Sequence, residues 1–137
     1  MRVVVLSCYL IAYAMSNAAL AGCLSDDYSV KAEYSRSLAV VRAKVLSQRT
    51  VPDGPNPDFM GGTVYTVRIQ ESFCGTLSGT VEVFSENSSG RFPMGNGKSY
   101  LLFLYREDAR LSADNCGNSG LASQKKSVLA ALRALRP

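Results

Sequence analysis

The sequence predicts a mainly β domain, a small barrel or sandwich with a short helix before it and a longer helix after it. Three observations carry that expectation. Residues 38–47 and 63–73 alternate apolar and polar side chains with the period of a strand that has one wet face. Residues 99–105 are almost wholly apolar, the pattern of a strand buried on both faces. Val128, Leu129, Leu132 and Leu135 recur at helical spacing. A chain of 137 residues suits one domain, and 47% apolar with 19% charged residues is ordinary globular usage.

Residues 1–22 have the order of a secretory signal: Arg2 as the charged start, an apolar run from Val3 to Met15, then small residues to Gly22. The run is shorter than the ~20 residues of a comfortable membrane span. Residues 23–137 are then the exported domain. Ala19-Leu20-Ala21 suits an ordinary signal peptidase, which would leave Gly22 at the terminus. Leu20-Ala21-Gly22-Cys23 also resembles the bacterial lipobox, which implies a lipid thioether on Cys23, a membrane anchor and, with Leu24 next, outer-membrane sorting. Cysteine parity agrees with the lipid: Cys8 leaves with the signal, Cys23 is consumed, and Cys74 and Cys116 remain to pair as a disulfide in an oxidising compartment.

The elements follow in order. Ser25 or Asp26 can cap a short helix reaching Arg36, with Asp26 and Asp27 at the positive end of its dipole. The strands expected after it cover residues 38–47, 63–73, 80–84, 99–105 and 111–113, joined by turns containing Gly or charge. Two breaker-rich loops interrupt them, residues 50–62 and 86–97. Phe59, Met60, Phe92 and Met94 lie on these loops and are expected as apolar anchors for a partner, folding back onto the core being the alternative. Residues 123–135 form the last helix, expected to pack on the sheet. Lys125, Lys126, Arg133 and Arg136 also allow it to lie on a membrane.

A particular family is suggested by the order of an exported N-terminal Cys, a short helix, a Val-rich strand, the turn Phe73-Cys74-Gly75, the motif Gly97-Lys98-Ser99-Tyr100-Leu101-Leu102-Phe103, the Cys of Asp114-Asn115-Cys116 and a final helix. This resembles the netrin-like modules and the tissue inhibitors of metalloproteinases, especially their short bacterial relatives, over residues 23–135. The resemblance implies an OB-fold-like five-stranded barrel with a short N-terminal helix and a C-terminal helix, used for binding. In the inhibitors the first Cys of a Cys-x-Cys terminus grips the zinc of the target protease through its amine and carbonyl. Here Leu24 and Ser25 follow Cys23, so the second Cys is missing, and acylation of Cys23 would block its amine. Cleavage before Cys23 without lipid would keep that chemistry, with Cys23 paired to Cys116 and Cys74 free.

The chain has no His, which excludes His-based acid–base catalysis, Ser-His-Asp and Cys-His nucleophiles and every His-containing metal site. Cysteine spacings of 51 and 42 residues match no common metal-ligand pattern, so neither a metal nor another cofactor is expected. Glu71 and Glu82 can meet across the hairpin at residues 73–79, but nothing would raise either pKa as acid catalysis requires. Loss of Arg2 with the signal lowers the formal charge from +4 to +3, and the last helix alone carries four basic residues and no acid. The basic balance is therefore local and makes no case for nucleic acid, although Arg42, Tyr65 and Arg68 are the types that such a site uses. The expected function is a non-catalytic, lipid-anchored binding module of the bacterial cell envelope with an unidentified protein partner. The alternative is a metalloprotease inhibitor acting through a free Cys23 terminus.

Overall fold

A computed structural model describes Cys23 and residues 27–136; the expected signal segment, Ser25 and Asp26 lie outside the described residues. The fold is mainly β, one six-stranded mixed sheet with two α-helices. The elements are α1 (Val30–Arg36), β1 (Ala39–Asp53), β2 (Asn56–Cys74), β3 (Thr80–Glu86), β4 (Ser99–Glu107), β5 (Arg110–Ser112), β6 (Gly120–Leu121), a 3₁₀ turn (Ala122–Gln124) and α2 (Lys126–Leu135). All five expected strands are present. β6, two residues long, is too short to show a period and was not foreseen.

Strand pairing runs β1-β2-β3-β5-β4-β6, and β1 pairs in addition with β4. The pairings therefore close a ring of five strands, β1-β2-β3-β5-β4, with β6 beside β4. The narrowest link is β3–β5, a parallel contact at Phe84 and Ser112 supported by the Ala113 amide donating to the Phe84 carbonyl at 3.1 Å. Register shifts in β1 between Val40 and Val41, Arg42 and Ala43, and Val45 and Ser47 bend it so that one strand serves two partners.

Residues 100–104 of β4 are all buried, as their apolar run predicts. Alternation sends them to two cores. Tyr100, Leu102 and Leu104 join Val41, Ala43, Val67 and Val83 in one cluster, while Leu101 and Phe103 meet Val40, Phe73, Leu129 and Leu132 in the other. The second core is where the helices dock. Ser29 caps α1 by accepting from the Ala32 amide at 3.3 Å, and Asp27 accepts from the Ser29 amide at 2.8 Å, which holds its carboxyl below the ordinary carboxylate range. The Tyr34 hydroxyl then donates to the Phe73 carbonyl at 2.8 Å.

The α2 stripe is used for packing: Leu129 and Leu132 are buried on the sheet. Arg133 and Arg136 each reach Glu71 on β2 at 3.0 Å, and the Arg133 guanidinium holds the Glu71 carboxyl below its usual range. Glu71 thus faces α2 and Glu82 pairs with Arg49 at 3.2 Å, so the two carboxylates serve separate ion pairs and do not meet across the hairpin. No described helix is long and apolar enough to cross a membrane.

Leu132 is fully buried between α2 and β4. Leu132→Ala should lower unfolding free energy by about 2–5 kcal/mol in urea titrations, the cost of emptying a closed core site. A loss below ~1 kcal/mol would show that the helix does not complete this core.

Candidate functional site

Three sequence expectations about the site are corrected by the structure. The first concerns cysteine. Cys23 bonds to Cys116, with their Cα atoms 5.7 Å apart, and Cys74 is a free thiol. The expected Cys74–Cys116 bridge does not form because the chain sends the two residues to different places. Cys74 ends β2 and packs at the edge of the helix-side core. Cys116 sits in the loop between β5 and β6, where its amide donates to Asp114 Oδ1 at 2.9 Å. A sulfur held in this bond is not available for a thioether, so the disulfide and the lipid anchor are alternative uses of Cys23.

The second correction concerns the long loops. Residues 52–62 pair rather than loop: Pro52 stands opposite Met60 and Asp53 opposite Asn56, so β1 and β2 extend as a two-stranded arm. β4 leaves β1 at the Lys44–Ser99 pair. The arm edge beyond it therefore needs no ladder donor at Pro52, and a proline is tolerated there. Phe59 is 64% exposed and Met60 42% exposed on this arm.

The third correction removes Phe92 and Met94 from that surface. Both are buried in the core with Tyr100, and the Phe92 ring meets the Tyr100 ring edge-on at 5.9 Å. A loop can be buried only if its amides find partners. Here three hydroxyls supply them. Ser85 accepts from the Phe92 amide at 2.7 Å, Tyr65 from the Met94 amide at 3.1 Å and Tyr100 from the Gly95 amide at 2.8 Å. Tyr65 is thereby spent on structure and is 4% exposed, which takes it out of any base-stacking surface.

What the structure does bring together is a continuous band of backbone from the arm to the N-terminal cysteine. Asn87 donates its side-chain amide to the Met60 carbonyl at 3.1 Å and its backbone amide to the Gly61 carbonyl at 3.0 Å. Asn115 then ties residues 89–90 to the next loop, donating to the Ser89 and Gly90 carbonyls at 3.0 Å each. Cys116 follows Asn115 and holds Cys23. The exposed arm, the 87–90 loop and the start of the described chain thus form one rim. Sequence reasoning gave neither asparagine this bridging role; short polar residues in breaker-rich loops are too common for it to stand out.

Beneath the Cys116 loop lies a second feature invisible in the sequence. Glu33 of α1 is 1% exposed, and its Oε2 accepts from the Asn118 amide at 2.8 Å and the Asn118 side chain at 2.7 Å. The Asn118 side chain also donates to the Tyr28 carbonyl at 2.7 Å. The other carboxylate oxygen, Oε1, has no hydrogen-bond partner among the described residues. Gly117 is required beside it: its φ is +88°, and a Cβ there would collide with both carboxylate oxygens. Burial pushes the Glu33 carboxyl above its ordinary range against the opposing Asn118 bonds. Nearby, the Tyr105 hydroxyl donates to Asp114 Oδ1 at 3.0 Å, and burial raises its pKa so far that it stays a donor.

These groups orient a loop and an N-terminal segment, and none is placed as a nucleophile beside a base. Among the described residues, no three His, Cys, Asp or Glu side chains are grouped to hold a metal ion.

An acid whose pKa is raised in the folded state costs stability once the unfolded chain ionises more readily than the native one. The Glu33 contribution should therefore be absent below its ordinary value of 4.5. It should grow as a loss of stability as pH rises from there through the raised folded pKa, and stay constant above. Urea midpoints across that window should fall for the parent relative to Glu33→Gln. Parallel curves for the two proteins would show that Glu33 ionises as freely in the fold as outside it.

The chain matches no known family model and no curated protein sequence.

Proposed function

We propose that this chain is an exported, non-catalytic binding module with an OB-like barrel of the kind found in netrin-like modules and metalloproteinase inhibitors, using its loop rim as the contact surface. The observation that carries the reading is the Cys23–Cys116 disulfide. A covalent tie between the first described residue and the loop before β6 turns the N-terminal segment into part of a rigid rim. Such bonds persist in oxidising compartments, which agrees with an export signal ahead of Cys23. The ring order β1-β2-β3-β5-β4 and its flanking helices support the OB-like reading of the fold. Exposed Phe59 and Met60 at the other end of the rim supply the apolar side chains that interface centres use.

In this reading Cys23 is a structural cysteine, and attachment to the membrane through it is given up in favour of the bond. The same bond favours a second reading, inhibition of a metalloprotease. A Cys23 whose sulfur is held by Cys116 and whose amine is free after cleavage presents an amine and a carbonyl to a zinc ion.

Expression in a bacterial host with fractionation tests the main reading. The protein is expected in the soluble exported fraction with residues 1–22 removed, and accumulation in the cytosol with those residues attached contradicts it. For the second reading, a protein beginning at Cys23 should inhibit a zinc endopeptidase, and one extra residue before Cys23 should abolish the effect. Equal inhibition by both forms, or none by either, rules out ligation through the terminus.

A further inference from the structure

A cleft of about 350 Å³ lies between the arm and the β4–β5 hairpin, away from the disulfide. One row of facing residues builds its floor: Arg49 on β1 stands opposite Val64 on β2, and Val64 opposite Phe84 on β3. Facing residues in adjacent strands share one side of the sheet. Val51 and Leu111 extend the floor on either side of this row, giving an apolar strip in which Val64 is buried and Val51, Phe84 and Leu111 are half-buried. Three guanidinium groups border it, from Arg49, Arg106 and Arg110, against a single carboxylate, Glu82. Glu82 already pairs with Arg49 at 3.2 Å. Among the described residues neither Arg106 nor Arg110 has a carboxylate within ion-pair distance.

The arginines are fixed by local structure. Asp108 and Ala109 both have positive φ, 45° and 64°, which makes the β4–β5 connection a tight two-residue turn of the primed kind. The turn places Arg110 opposite Glu107 and Leu111 opposite Arg106. Arg110 then stacks on Phe84, its guanidinium carbon 4.7 Å from the ring centroid. A second hollow shares Phe84 and Arg110 as a wall and is lined by Glu86, Glu107 and Asp108. Three carboxylates thus line the neighbouring hollow, whereas the first holds only Glu82, already paired with Arg49, against its three arginines.

We infer that this cleft binds a small anionic amphiphile, an oxyanion head held by Arg106 and Arg110 with an aliphatic body lying along Val51, Val64 and Leu111. The volume lies at the small end of the ~300–1,000 Å³ typical of ligand pockets, which suits a medium-length chain rather than a polymer. Guanidinium forks match a carboxylate in two-point geometry and lose less hydration than an ammonium when covered. The Arg110 stack leaves the Phe84 face occupied, so the body that fits is aliphatic rather than a second stacked ring.

Decanoate is the direct probe, titrated below its micelle concentration into the purified, oxidised protein and followed by methyl NMR and calorimetry. Saturable 1:1 binding is expected, with shifts at Val51, Val64 and Leu111. Arg106→Gln with Arg110→Gln should weaken it by at least ~10-fold, the loss of charge-assisted bonds to the head. Lys31→Gln with Lys126→Gln, which removes the same charge from exposed sites elsewhere, should leave it unchanged. Decyltrimethylammonium should not bind. Equal affinity in both double variants, equal binding of the cationic amphiphile, or no saturable decanoate binding would overturn the assignment. Far-UV circular dichroism checks that the arginine variant is folded. If it is not, the salt dependence of decanoate binding to the parent decides: weakening with salt supports the head-group contact and indifference to salt refutes it.

Discussion

β4 must bury five consecutive side chains, residues 100–104, on two faces at once, and most of the architecture answers that demand. One face is covered by β1, β2 and β3 as they curl round and close on β4 through β5. The other is covered by Leu129 and Leu132 of α2 together with the edge of α1. Bringing α1 to that face carries Glu33 and Tyr28 under the loop that follows β5, where Asn118 binds both. The position of Cys23 at Cys116 follows from the same docking. A strand buried on two sides thus fixes where the N-terminal segment can lie.

The burial of a charged group at this junction bears on how firmly the segment is held. Glu33 is accepted into the interior by two hydrogen bonds from one residue, Asn118, and by a glycine that leaves room for its oxygens. The arrangement is costly for a carboxylate and specific for its partners. It sits beside a disulfide that spans 93 residues of sequence, which stabilises by roughly 4–5 kcal/mol in the usual chain-entropy account. The covalent bond and the buried carboxylate act on the same loop, one restricting the unfolded chain and the other selecting the native arrangement.

The strands and the packing face of the last helix were legible because period and burial are read from the same side chains. Val41, Ala43 and Val45 alternate and face the core; Leu129 and Leu132 fall on one stripe and are buried. The site was less legible, for physical reasons that differ by residue. Phe92 and Met94 stand among Gly, Pro and Asn, the composition of an exposed loop, and only the distant hydroxyls of Ser85, Tyr65 and Tyr100 make their burial feasible. Pro52 and the glycines of residues 54–62 signal a break, yet an arm paired along one side tolerates a proline. The cysteine pairing turned on parity, which depends on what happens to Cys23, and parity carries no distance. Asn87, Asn115 and Asn118 knit the rim together through hydrogen bonds that no sequence pattern announces.

Peptide mapping of the exported protein, with free thiols alkylated before digestion, tests the central claim most directly. The account predicts a Cys23–Cys116 linked peptide pair, alkylated Cys74 and no acyl mass on Cys23. An acylated Cys23, or a Cys74–Cys116 pair, would contradict it and return the N-terminal segment to the role of a tether.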